Sequence, residues 1–382
     1  MSRRAAGAAA RLAGAGLACA SLMAGCGSHP ARVTGAAGPP PPTVPLSTSL
    51  VTAQGRWAIA VMGGPDAGNK FWQLFFRPVT GGHWSLVTPQ GVADNGGLVA
   101  AGGGAYLVVG FRPSQNLAFS PLATSADTGR SWTPGLLDAG LADTPGAIAV
   151  GPSGRTLALL QDGTVEAAPT AGAAAGRWAP LATLQALAAS DPGRACGLEN
   201  VTAVSFGPDA DPMAAGSCAR PGAAGVFTDA GGTWRSAGLA LPAGGRVRVL
   251  GLTAIPGGNE ALLAVPHPGG NSLFAAWRDG TRWTVSAPVA AAGVRALGFG
   301  PGGSAWLLPD RGRPETVAGA ADRTWRPLPP VPAGIQVLAP GTGGSYDALG
   351  VAGSGLTVWR LAGGAWARAQ QITVPVQYGS SG

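Results

Sequence analysis

The stretch that decides the fold runs Ser125-Ala126-Asp127-Thr128-Gly129-Arg130-Ser131-Trp132. An Asp carboxylate in such a run accepts N–H bonds from the backbone that follows it, and Gly takes the positive-φ position that a side chain would resist. The run is therefore a tight turn. The tryptophan that closes it brings an indole to the start of the next strand, where it can bury one face.

Outward from this run, a Gly- or Asp-containing turn followed by Trp recurs at Trp84, Trp132, Trp178, Trp234, Trp283, Trp325 and Trp366. The spacings are 48, 46, 56, 49, 42 and 41 residues, with a mean of 47. A second marker keeps the same phase: apolar alternation runs into a Gly/Pro turn at 147–154, 201–208, 252–258, 294–303 and 335–344. Short apolar runs such as 156–160, 261–265 and 305–308 follow, bounded by Gly, Pro or Asp, with no helical period. Each unit reads as inner strand, turn, second strand, loop, third strand, Trp turn and outer strand. Such a four-stranded unit, repeated at about 40 to 50 residues, is a propeller blade. The expected fold is all-β: a seven-bladed β-propeller of four-stranded antiparallel blades over residues 49–380.

Composition agrees. Charged residues are 11% of the 382 and hydrophobic residues 46%, which excludes disorder along the whole chain. The 64 glycines and 34 prolines are the punctuation that many short strands require. The formal charge of +7 includes Arg3, Arg4 and Arg11 in the leader. The remaining chain has no run of basic residues and no interleaved aromatic stripe, so nucleic acid is not an expected partner. Three His and four Cys offer little for a metal site, and no cofactor is expected.

The Trp turns resemble the Asp-box, or BNR repeat, of sialidases and related propellers, whose pattern is Ser/Thr-x-Asp-x-Gly-x-Thr-Trp. Asp127, Gly129 and Trp132 fit it, as do Asp229, Gly231 and Trp234, apart from Phe227 at the first position; the other five turns are degenerate. The resemblance, shared through the repeat with photosystem II assembly factor-like propellers, implies a structural role for these carboxylates on the rim opposite the usual ligand face. It does not carry over a sialidase mechanism. Phe76-Arg77-Pro78 and Phe111-Arg112-Pro113 lack the Ile of the sialidase motif, and of three Tyr, Tyr106 and Tyr346 begin second strands while Tyr378 lies in the tail.

Residues 1–25 read as a signal peptide: a basic start, then the uncharged run 12–25, too short for a membrane span. It ends Met23-Ala24-Gly25-Cys26, which resembles a bacterial lipobox, with Cys26 taking the acyl group. Arg3-Arg4 lacks the hydrophobic residues of a twin-arginine signal. Residues 26–48, with Pro39-Pro40-Pro41-Pro42, read as a solvated tether.

In such a propeller the loops entering inner strands and those joining second to third strands share one face. That face should carry Asp66, Asp94, Arg112, Asp162, Glu199, Arg220, Arg246, Arg248, His267, Arg295, Asp310 and Arg311. A mixed rim of this kind suits a glycan, a carboxylated ligand or a protein, or is simply solvated. Cys196 and Cys218 should reach the same face and, in an exported chain, form a disulfide that braces the longest repeat unit. The expectation is a monomeric, lipid-anchored extracytoplasmic module on the cell membrane, noncatalytic, binding or scaffolding an envelope protein or glycan. The alternative is a glycoside hydrolase or lyase with an unfamiliar acid pair at the channel mouth. The lipobox reading predicts that Cys26→Ala leaves the protein unacylated and shifts it from membrane to soluble fraction; equal membrane recovery on fractionation contradicts it.

Overall fold

Uninterrupted runs of apolar and small residues, such as Ala203–Phe206 and Pro212–Ser217, form strands buried on both faces. The computed structural model describes residues 48–63, 70–90, 97–110, 119–242, 244–352 and 355–374. Cys26, Asp66, Asp94, Arg112 and Tyr378 lie outside the described residues. Seven antiparallel sheets follow one another in chain order, each built from consecutive strands, here A to D from the axis outward. Blade 4 shows the pattern: A is Ala203–Phe206, B Pro212–Ser217, C Ala224–Asp229 and D Trp234–Ser236. Blade 5 adds a short strand, Val289–Ala291, against its strand C. The seven repeat tryptophans all stand at, or next to, the first residue of a strand D, as the spacing requires. The fold is a seven-bladed β-propeller.

The core lies between blades. Trp57 and Ile59 of blade 1 pack against Tyr106 and Val108 of blade 2, and the pattern continues round to Val337 and Leu349 of blade 7 against Ala58 and Phe75 of blade 1. The repeat tryptophans add a directional bond to this packing. The Trp132 indole N–H donates to Val87 O of blade 1 at 2.8 Å, Trp283 to Ala237 O of blade 4 at 2.8 Å, and Trp366 to Pro329 O of blade 6 at 3.0 Å. Trp325 reaches Ser286 Oγ of blade 5 at 3.1 Å. Each acceptor lies just beyond strand D of the preceding blade. The indoles are thus interblade staples and, apart from Trp84, are half-buried rather than enclosed. Trp178 instead bonds within its own blade, to Ala173 O.

Because every blade is made from one contiguous stretch, no strand is shared between the first blade and the last. Side chains close the ring. Trp84 of blade 1, 2% exposed, has as its acceptor the Asp347 carboxylate of blade 7 (3.0 Å). Asp347 is fully buried and also meets Arg77 (2.5 Å), Arg56 (3.4 Å) and its cross-strand neighbour Arg360 (3.0 Å). Two amide side chains complete the seam: Gln336 bonds both Val61 N and Val61 O, and Gln370 does the same at Trp84. Gly341 makes room for this group, since a Cβ there would fall about 2.1 Å from the Arg56 guanidinium and displace it.

A second buried acid has no such company. Glu260, on strand B of blade 5 (Gly258–His267), is fully buried with no hydrogen bond to either carboxyl oxygen. Burial pushes its carboxyl well above the ordinary value of 4.5, and the Trp277 N–H, committed to Gly303 O at 2.6 Å, offsets this only in part. A raised carboxyl stabilises the fold fully below its unfolded value, and that contribution is lost as pH rises through its folded value.

Two outcomes follow. Asp347→Ala strands three guanidinium groups at the seam and should cost about 3 to 5 kcal/mol, read as a large drop in melting temperature; an unchanged melt refutes the closure. Glu260→Gln should raise the melting temperature at neutral pH and flatten the loss of stability between pH 5 and 8, roughly the range above an ordinary carboxyl. An identical pH profile for the two proteins would show Glu260 ionised and solvated.

Candidate functional site

The D–A and B–C loops form one face of the ring and the A–B and C–D turns the other. The chain enters strand A of blade 1 at Thr48 and leaves strand D of blade 7 at Val374, so both ends of the described domain lie on the loop face. The alanine-rich linker between blades 3 and 4, expected as an enlarged loop, instead folds into two short helices, Leu184–Ala189 and Asp191–Cys196. Thr183 and Ser190 cap them, accepting from Ala186 N (3.1 Å) and Gly193 N (3.2 Å). Cys196 ends the second helix and is bonded to Cys218 at the end of strand B of blade 4, with Cα atoms 5.4 Å apart. The bridge fixes the helical insert to the blade that follows it.

Around this insert the structure joins some of the expected rim residues and leaves others apart. Glu199 pairs with Arg246 across the gap between blades 4 and 5. Arg295 donates to the main-chain oxygens of Asp310 (3.0 Å) and Ile335 (2.9 Å), so it holds loops of blades 6 and 7 together. The Arg220 main chain donates to Cys196 O (3.1 Å), and its side chain is exposed. Arg248 and Arg311 are exposed, and His267 accepts from Gly269 N (3.2 Å). Asp162 forms a local turn with Thr164 N (2.9 Å) and lines a recess of about 350 Å³ with Asp143, Asn200 and Leu184. On strand C of the same blade, burial raises the Glu166 carboxyl, and the charges of Asp162 and Asp138 raise it further.

The Asp127 side chain is bonded within its own turn. The Asp127 carboxylate accepts from Ser131 Oγ (2.6 Å), Ser131 N (2.9 Å) and Ser125 Oγ (2.8 Å), and these bonds hold its pKa at about 2. Gly129 sits at φ 83°. Asp229 accepts only from Gly232 N (2.7 Å), and Gly231 sits at φ 65°. Trp234 is half-buried and packs on the cluster that joins blades 2 to 4. Tyr106 and Tyr346 are core residues, the latter bonded to Thr316 Oγ1 at 2.6 Å.

A concavity opens on the turn face, opposite the expected rim. It measures about 660 Å³ and is walled by Leu50, Val79, Ile255, Phe299 and the glycine turns 300–303 and 341–342; among the described residues Arg56 is its one charged lining residue. Behind it, the central channel adds about 380 Å³, lined by inner strands of blades 1 to 6.

No family model matches the chain, and no curated protein matches it in sequence. Solved structures do share the architecture. A putative 6-phosphogluconolactonase from Bacteroides fragilis is 13% identical at a TM-score of 0.53, over 85% of this chain and 97% of that one. A protein from Lactobacillus plantarum is 14% identical at 0.52, over 84% and 97%. YCF48, solved with a D1 peptide, is 16% identical at 0.44, over 80% and 91%. The likeness is one of fold.

The disulfide predicts its own measurement. Peptide mapping of the non-reduced protein should yield one 196–218 crosslink, and replacing both cysteines by serine should cost roughly 3 kcal/mol and expose the linker 183–200 to protease. Two freely alkylated thiols in the exported protein contradict it.

Proposed function

We propose that this propeller is a noncatalytic binding or scaffolding module, lipid-anchored on the extracytoplasmic side of the membrane, that engages an envelope protein or glycan through its loop face. The observation that carries the reading is the helical insert at 184–196, capped at both helices and bridged to Cys218. A loop cluster that is ordered beforehand loses less freedom on binding, and binding residues concentrate on loops held by a rigid scaffold. The exposed charges of Asp162, Arg220, Arg248 and the Glu199–Arg246 pair surround that insert. The anchor reading is supported by the Met23–Cys26 run and the proline-rich tether. The first described residue, Thr48, leads into blade 1 on the loop face. The turns at Asp127 and Asp229 support a place among Asp-box propellers, in which such carboxylates shape turns.

One feature favours a second reading, a glycoside hydrolase. Asp143 and Asp162 line one recess, and the Glu166 carboxyl, raised by burial and by the Asp162 charge, would suit a proton donor. Glycan turnover by the purified protein that disappears in Asp162→Asn would establish it.

The binding reading is tested by a photo-crosslinking side chain at Arg220 or Arg248, with Arg326 on an outer strand as control. The expected result in the native envelope is a discrete protein or glycan adduct at the first two positions and none at the control. Adducts equal at all three positions, or absent from all, overturn the loop face as the binding surface.

A further inference from the structure

The concavity on the turn face is separate from the surface just proposed, and its chemistry is different. Its walls are the apolar side chains of Leu50, Val51, Ile255, Pro256, Phe299 and Val79, the last 59% exposed at the rim. Among the described residues no acidic side chain lines it, and Arg56 is the only charged residue that does. The channel behind shares Leu50, Val51, Thr253, Ala254 and Phe299 with the mouth and carries no charged lining residue. Several channel-facing side chains, including Leu50, Val99, Leu250 and Phe299, are only half-buried, leaving apolar surface in contact with water along the axis. Mouth and channel thus form one elongated space with an apolar shaft and a cationic entrance.

The entrance is also electrostatically incomplete. Arg56, Arg77 and Arg360 share the single carboxylate of Asp347, so three cations face one anion. Arg56 keeps 17% of its side chain exposed. Burial lowers its pKa, and although Asp347 works against this, Arg77 and Arg360 lower it further. A second anion at Arg56 would relieve that repulsion where the protein supplies none. Cavities of roughly 300–1,000 Å³ with apolar walls and a few placed polar groups are the usual form of small-molecule sites.

We infer that this space binds a single-chain amphiphile with an anionic head, the head at Arg56 and the hydrocarbon tail along the channel. Carboxylate and phosphate heads share the chemistry that Arg56 reads. A peptide ending in a free carboxylate is the competing occupant, since main-chain polar groups also line the shaft, but the uncharged and largely aliphatic side chains there favour a hydrocarbon tail.

The test is calorimetric titration of the full chain carrying Cys26→Ser, so that no attached acyl group competes. The ligands are dodecanoate, dodecyl phosphate and dodecanol, each kept below its aggregation threshold. The expected result is saturable binding of at least one anionic amphiphile, with the two heads ranked by their affinities. Arg56→Gln should weaken that ligand by about tenfold or more and leave dodecanol unchanged. Because Arg56 also belongs to the ring closure, the variant's near-ultraviolet circular dichroism must match the parent. Thr253→Trp, which plugs the shaft without touching the seam, should abolish binding of all three. Failure of both anionic ligands to bind overturns the proposal, as does equal weakening of dodecanol by Arg56→Gln. Binding of a leucine-rich peptide with a free C-terminus in place of both also overturns it. None of these outcomes bears on the loop-face crosslinks.

Discussion

One buried carboxylate closes the ring. Asp347 accepts from the Trp84 indole and from arginines on both sides of the seam, while Gln336 and Gln370 bind main chain across it. At interfaces between blades joined by the chain, the linker keeps neighbours together, and a neutral indole-to-carbonyl bond worth about 1 kcal/mol is enough. Among the described residues, blades 7 and 1 are held by what their side chains do. A buried ion pair is weak evidence for stability, since desolvation opposes its attraction. Its contribution here is better read as geometric: a charged acceptor with several fixed donors admits one alignment of the two blades.

The repeat was legible because it is local. A turn aspartate, a positive-φ glycine and a tryptophan lie within eight residues, so the Ser125–Trp132 run announces itself, and its spacing gives the blade number. The disulfide was legible for a related reason: once blade phasing is known, Cys196 and Cys218 fall at the same end of adjacent elements. The seam was not. Arg56 and Asp347 lie on opposite ends of the chain, and no periodic marker connects them. The available signal was a charge within a strand otherwise apolar, as in Tyr346-Asp347-Ala348-Leu349 and Asn259-Glu260-Ala261-Leu262, where such a charge must be paired or neutral. One proved paired and the other solitary. The helices at 184–196 were missed because the propeller pattern leads one to expect loops there, although the alanine content favours helix.

The two faces follow from the same topology but differ in character. Loops on one face vary in length and carry the insert, the disulfide and exposed charges, which is where a rigid scaffold can display a surface. On the other face, turns of blades 1, 5, 6 and 7, several of them glycine-rich, wall a largely apolar mouth. Those expected rim residues that are described lie on the loop face, whereas the concavity of about 660 Å³ is on the turn face. What connects the two is the seam, since Arg56 both closes the ring and lines the mouth.

Native-state hydrogen exchange at the seam tests the closure most directly. In the parent protein, the Val61 and Trp84 amides, held by Gln336 and Gln370, should exchange only with global unfolding, as should amides of strand B in blade 4. In Asp347→Asn, the account predicts that Val61 and Trp84 lose protection through a local opening while blade 4 keeps most of its own. Equal loss of protection in blade 4 and at the seam, or none at either, would contradict closure through Asp347.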